Sequence, residues 1–357
     1  MTFRPSKIRP DIQQFLSDQE QVITFFEPEP FRKPNTIDIP TRVMKYLDSQ
    51  QTLRIGTRGS PLALWQAHHV ADKLRAACPE LSKPNAIEII KIVTTGDKIQ
   101  NRPLAEIGGK GLFAKEIEEA LAAKEIDIAV HSMKDVETIL PNGFVIAAIL
   151  ERADPRDALI SASGQSLKDL PVGSCVGTSS LRRKAQLLAA RPDLKVVPFR
   201  GNVETRLNKL TKGEADATLL AKAGLDRLDK SEVITEVLDP AIMLPAAAQG
   251  AIGVEVREDE EVIIHTLSKI ACSNTTLVVE TERALLAELD GSCRTPIAAL
   301  AELNQQGDLR LSAMLAREDG LRSWRIERLG SANDGPALGR DAGAELRANG
   351  DSDLFVS

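Results

Sequence analysis

Four arginines, Arg182, Arg183, Arg200 and Arg206, fall within one stretch that opens with GTSSLRR at Gly177 and closes with FRGNVETR at Arg206. Each pair follows a short apolar run, Ser174 to Gly177 before the first and Lys195 to Phe199 before the second. Strand, small-residue turn, then helix is how an α/β fold presents backbone N–H groups and a helix N-terminus to an anion. A guanidinium keeps its proton and is costly to leave unpaired in a closed site. In a chain of formal net charge −6, such a set asks for a polyanionic ligand. The plainer reading is that these arginines lie on solvated helix faces.

A second constellation is HSMKD, His131 to Asp135, at the C-terminal end of the apolar run IDIAV. There a carboxylate can point into a cleft. Asp135 beside Lys134 reads either as a structural ion pair, which contributes little when exposed, or as a working group. In an arginine-rich cleft it would be the only acid on that rim able to act as a base or to stabilise a cation. His131 reads as a satisfied core histidine. The loop GGKG, Gly108 to Gly111, lacks the spacing of a phosphate loop and has Leu112 where a hydroxyl should stand. It reads as a mobile lid to which Lys110 adds one positive charge. Cys293 lies in the turn DGSCRTP just beyond a helix. The helix C-terminus opposes thiolate formation there while Arg294 favours it, so local electrostatics leave its reactivity open. Cys78, Cys175 and Cys272 read as inert small hydrophobes.

The elements that must position these residues alternate between strand and helix from Leu53 onward. LRIGT is a strand, and Ser60-Pro61 supplies the N-cap and first-turn proline of a helix through Cys78. Ile87 to Val93, Ile126 to His131 and Phe144 to Leu150 are further strands, with a helix from Leu112 to Ala123. The same grammar recurs: IGTRGSPLAL from Ile55 is echoed by VGTSSLRRKA from Val176, and KEIDIAVHSMKD from Lys124 by GEADATLLAKAG from Gly213. Two related α/β domains facing each other across a cleft are therefore expected, with mainly parallel or mixed sheets. The first spans 52–152 and, after the turn AAQGAIGVEV, 246–270; the second spans 153–245. Residues 271–357 read as a small α+β domain, with a helix from Thr275 to Leu289, a hairpin of Leu309 to Ala316 and Arg322 to Leu329, and a helix near Ala342 to Ala348.

Composition excludes several classes. An acidic chain with no face-wide basic excess does not suit nucleic acid. No apolar run approaches the roughly 18 residues of a membrane span. The four cysteines show no CxxC spacing and the four histidines no ligand pattern, so neither a metal site nor a disulfide framework is expected. A reducing cytoplasm fits this cysteine usage. Residues 1–51 stand apart, with five of the nine phenylalanines, the only tyrosine and no glycine. Seven acidic residues between Asp11 and Asp48 argue against a transit peptide. The segment reads as an accessory extension, partly disordered around Pro28 to Pro40.

Taken together, RIGTRGSPLALWQA, GGKGLF, DIAVHSMKD, GTSSLRR, FRGNVETRL, LPAAAQGAIG and GSCRTPI resemble the porphobilinogen deaminase family, in order and with compatible spacing over roughly residues 53–350. The resemblance implies two α/β domains of the type II periplasmic-binding-protein-like kind flanking a cleft, plus a C-terminal α+β domain. It implies a cytoplasmic, monomeric transferase that joins four porphobilinogen molecules head to tail into hydroxymethylbilane, releasing ammonia. It further implies a dipyrromethane cofactor on a cysteine thioether, which by motif is Cys293, and a catalytic carboxylate, which is Asp135. Cofactor-binding positions would be Lys134, Arg182, Arg183, Ser132, Thr178, Ser179 and Ser180. Substrate-binding positions would be Arg58, Ser60, Arg200, Asn202, Arg206, Lys110 and Phe113. Three departures from the family pattern are Glu137 where proline is usual, Ser292 for a glycine and Ala298 for a glycine. The competing class is a non-catalytic two-lobe anion-binding module, which would need neither Asp135 nor Cys293.

Overall fold

The computed structural model describes residues 52–98, 114–289 and 295–355. The chain begins with β1 (Leu53–Arg58), α1 (Pro61–Ala77), β2 (Ile87–Ile92), α2 (Lys115–Ala122), β3 (Ile128–Ser132) and β4 (Phe144–Ile149). It continues through β5 (Asp157–Ser161), β6 (Cys175–Gly177), α3 (Leu181–Ala190), β7 (Lys195–Val197), α4 (Val203–Thr211), β8 (Ala217–Ala221), α5 (Lys222–Arg227) and β9 (Glu236–Val237). β10 (Ile252–Arg257) then returns to the first sheet, followed by α6 (Glu261–Ser268). The remainder is α7 (Ser273–Glu288), β11 (Ile297–Leu303), β12 (Asp308–Ala316), β13 (Ser323–Ser331) and α8 (Gly335–Asn349).

The internal echo in the sequence is a duplicated topology. The first sheet runs β2-β1-β3-β10-β4 and the second β7-β6-β8-β5-β9. In each, four strands run the same way and one is reversed: β10 pairs antiparallel with β3 and β4, and β5 likewise with β8 and β9. The helices that follow the central strands begin alike. Ser60 caps α1 by accepting from Ala63 N at 3.3 Å, and Ser180 caps α3 by accepting from Arg183 N at 3.4 Å. Even the turn before the third strand repeats: Lys124 has φ 57° and Gly213 φ 74°.

The third sheet, β11-β12-β13, is antiparallel throughout. Two of its elements depart from the sequence expectation. β11 was not anticipated, because IAALAEL is alanine- and leucine-rich and reads as helix by propensity; pairing with β12 overrides that. α8 starts at Gly335 rather than near Ala342, its first turns masked by glycines that disfavour helix when exposed. Ala298, one of the departures from the family pattern, is fully buried in a small cluster with Ala185, Leu244 and Met314. Its methyl joins the third sheet to α3.

One buried ion pair ties the units together. Arg152, in the connection between the first two sheets, grips Glu282 of α7 through Nη1 at 2.7 Å and Nη2 at 3.1 Å. Glu282 is fully buried and also accepts from Ala248 N at 2.6 Å and Ala301 N at 2.7 Å. Arg152 Nε donates to Gln249 O at 2.9 Å. Close by, Gly250 has φ 91° and leaves no room for a Cβ beside Ala153 O, so only glycine suits it. Removing one partner of such a pair strands a buried charge. Glu282→Gln should therefore lower unfolding free energy by about 3–5 kcal/mol, read as a shift of the urea midpoint. A midpoint unchanged within error would show that the pair does not hold the units.

Candidate active site

The parallel strands of both sheets deliver the polar residues at their C-terminal ends. Arg58 closes β1 and Ser132 closes β3, with Met133–Asp135 forming a 3₁₀ turn beyond it. Thr178 to Ser180 follow β6 and lead into α3, which carries Arg182 and Arg183. Arg200 and Asn202 lie between β7 and α4, which carries Arg206. Phe199 fixes where Arg200 emerges: its ring packs where a Cβ on Gly177 would sit, and its N–H donates to Ser179 Oγ at 3.0 Å. The first-sheet side forms a cavity lined by Arg58, Ser60, Gln66, His131, Ser132 and Asp135, among others. Ser132 Oγ lies 2.9 Å from Gln66 Nε2.

The two sides meet around a carboxylate absent from the sequence reading. Asp157, the first residue of β5, is fully buried. Arg182 Nη1 donates to its Oδ2 at 2.8 Å, and Arg183 Nη2 to its Oδ1 at 2.7 Å. Burial alone would raise its pKa, yet the two guanidiniums hold the carboxyl well below the usual range. Arg182 and Arg183 are each 5 % exposed, so the solvated-face reading fails for them: both reach inward to Asp157. From the first-sheet side, Gln249 bridges the gap, donating to Asp157 Oδ1 at 2.9 Å and accepting from Lys134 Nζ at 3.2 Å.

The Lys134 side chain is exposed, yet the mass of protein around it disfavours its charged form. That desolvation lowers its pKa to about 8, with Arg183 and Arg182 adding to the fall and Asp135 and Asp157 opposing it. Arg206 is half-buried; burial, then Arg183 and Arg200, bring it to about 10 against the pull of Asp135. Lys134, Arg182, Arg183 and Arg206 thus share two carboxylates, Asp157 and Asp135, and Arg200 adds a fifth cation beside Arg206. Arg182 Nε and Arg200 Nη1 are buried with no hydrogen-bond partner among the described residues. A site of this kind is built to be completed by a polyanion.

Other expectations resolve individually. His131 is a core histidine, 8 % exposed, with Nε2 2.8 Å from Glu255 Oε2. The Ser60 and Ser180 hydroxyl oxygens and Asn202 Oδ1 are engaged as helix N-caps, Asn202 accepting from Thr205 N at 2.8 Å. Lys110, Phe113 and Cys293 lie outside the described residues. Asp157, Gln249 and Gln66 were missed. Gln249 sits inside the quoted LPAAAQGAIG motif, but nothing in sequence marks an acid that opens an apolar run as the partner of two distant arginines.

Two α/β sheets of equal strand order carry, at their strand ends, more cations than carboxylates among the described residues, a chemistry suited to a polyanion. Family comparison narrows this. The model for the porphobilinogen deaminase dipyromethane cofactor binding domain matches residues 53–265, and that for the porphobilinogen deaminase C-terminal domain matches 276–348. The chain belongs to the porphobilinogen deaminase family. Porphobilinogen deaminase of Paracoccus denitrificans (strain Pd 1222) is 55% identical over 309 residues, 86% of this chain and 97% of that protein. The chloroplastic porphobilinogen deaminases of Oryza sativa subsp. japonica and Pisum sativum are each 51% identical, over 85% of this chain and 86% and 84% of theirs. As a family member the chain is a transferase of tetrapyrrole synthesis. It condenses four porphobilinogen molecules head to tail into hydroxymethylbilane, with release of ammonia, on a dipyrromethane cofactor.

The lowered Lys134 pKa sets a pH dependence. A carboxylate ligand binds the ammonium, which loses its proton as pH rises through about 8. Loading of dipyrromethane onto the apo-protein, followed by intact mass, should therefore weaken across that pH. Lys134→Arg keeps its charge and should remove the decline; an identical decline in that variant would place the titrating group elsewhere.

Proposed function

We propose that the residues at the facing strand ends divide the family's chemistry as follows. Lys134, Arg182 and Arg183, with Ser132, Thr178, Ser179 and Ser180, hold the dipyrromethane, which is attached through Cys293. Arg58, Ser60, Arg200, Asn202, Arg206, Lys110 and Phe113 receive porphobilinogen and the lengthening chain. The observation that carries this is the five cations facing two carboxylates, with buried guanidinium nitrogens left unpaired. Those residues fit a group rich in acetate and propionate side chains. When bound, the dipyrromethane supplies the pyrrole carbon on which the next unit is added.

Asp135 is the acid–base carboxylate. It lines the cavity with Arg58 and Ser132 and is exposed there, so it can meet a pyrrole N–H. Loss of ammonia from porphobilinogen leaves positive charge on the pyrrole nitrogen, which a nearby carboxylate stabilises. The same carboxylate takes up the proton released once the new carbon–carbon bond has formed. Each charge-assisted hydrogen bond from an arginine contributes about 1.5–3 kcal/mol, so several hold the product chain without blocking its advance. The domains work as 52–152 with 246–270, 153–245 and 271–357, with 1–51 as an accessory extension. The protein acts as a cytoplasmic monomer and engages neither nucleic acid nor membrane. Among the described residues, no single helix is long and apolar enough to cross a membrane.

Intact mass and turnover test the assignment together. Protein made in a porphobilinogen-producing cell should exceed its sequence mass by one dipyrromethane, mapped to Cys293. Asp135→Asn should keep that adduct while turnover falls about 10²–10⁴-fold. A normal adduct on Cys293→Ala would sink the anchor, and near-normal turnover in Asp135→Asn would move the acid–base role to another group.

A further inference from the structure

The turn that carries Asp135 is held from several sides, although its carboxylate accepts no hydrogen bond from the described residues. Met133 N donates to Ala251 O at 3.0 Å, and its side chain is buried at 1 % exposure. Lys134 is tied to Gln249. The remaining hold comes from α7. There Arg283 donates from Nη1 to Val136 O at 3.3 Å, and from Nη2 to Glu137 O at 2.6 Å and Thr138 O at 3.0 Å. These carbonyls belong to the three residues that follow Asp135.

This is an unusual use of an arginine. Its hydrogen bonds among the described residues go to backbone carbonyls, and burial depresses its pKa, with Glu280 and Glu255 opposing. Desolvating a guanidinium without a matched carboxylate is costly, so the contact should be fixing something. What it fixes is the exit of the turn: Val136 leaves Asp135 in an extended conformation, with its N–H on Met133 O. With both flanks pinned, the backbone alone aims the Asp135 side chain.

We infer that Arg283 is a positioning residue for Asp135, its fork on the carbonyls of Val136, Glu137 and Thr138 setting the direction in which the carboxylate enters the cleft. The inference rests on the reading of Asp135 as the acid–base group. A carboxylate misplaced by about 1 Å can cost about 10²-fold in rate, whereas substrate capture by the arginines needs no such alignment.

The test uses full-length, cofactor-loaded enzyme, with rates expressed per covalent dipyrromethane. Arg283→Met keeps the apolar stem and removes the donors. Its kcat should fall about 10- to 10²-fold while KM stays near the wild-type value. Arg283→Lys, which can still donate to these carbonyls, should recover part of the loss. In an Asp135→Asn background, Arg283→Met should add little, because both changes act through one group. A lowered Tm with an unchanged rate per cofactor in Arg283→Met would make the contact merely structural and overturn the inference. Losses that multiply in the double variant would overturn it as well. Failure of the underlying reading would appear separately, as near-normal turnover of Asp135→Asn alone.

Discussion

Everything at the cleft depends on how few carboxylates there are for its cations. Asp157 is fully buried and serves both Arg182 and Arg183. Burying any of the three alone would cost several kcal/mol; together they lock the start of α3 to the first residue of β5. Gln249 then extends the network to Lys134 on the other sheet. Because the network contains more positive than negative charge, it is stable as a scaffold yet incomplete as an electrostatic unit. Under the proposed division of roles, carboxylates of the ligand complete it.

Duplication explains how such a site arises from an ordinary fold. Both sheets place small polar residues and helix N-caps at equivalent strand ends, but the copies have diverged in what they add. The second contributes the arginines of α3 and α4, and the first contributes the turn with Lys134 and Asp135. The arginines of α3 and α4 and the Asp135 carboxylate therefore come from opposite walls. α7 and the third sheet hold both: Glu282 of α7 grips the connection between the walls, and the cluster around Ala298 and Met314 packs on α3.

Much of this was legible in the sequence, for identifiable reasons. Strand, turn and capped helix leave local signals, so β1, α1, β3 and the arginine positions could be read directly, as could the echo between the halves. What stayed hidden is what depends on distant pairing. Asp157 looks like any acid at the edge of an apolar strand, and Glu282 like any charge on a helix. Arg182 and Arg183 looked like rim residues because sequence does not reveal an internal partner. β11 was lost because its alanines favour helix until a neighbouring strand pairs with them. Of the departures from the family pattern, Ala298 is explained by packing, and the Glu137 carbonyl is one of those held by Arg283; Ser292 lies outside the described residues.

The most direct test of the under-neutralised cluster is to count additions on the enzyme itself. With limiting porphobilinogen, intact-mass spectra should resolve covalent species separated by one pyrrole unit. Lysine keeps the charge of arginine but not the planar fork that grips a carboxylate with two hydrogen bonds. Arg182→Lys and Arg183→Lys, altered beside Asp157, should fail before the ladder begins, at cofactor loading. Arg200→Lys and Arg206→Lys should load and then accumulate at particular rungs. If all four variants load normally and slow every rung by the same factor, the arginines act only as a diffuse positive field, and the account of a structured cluster completed by its ligand is wrong.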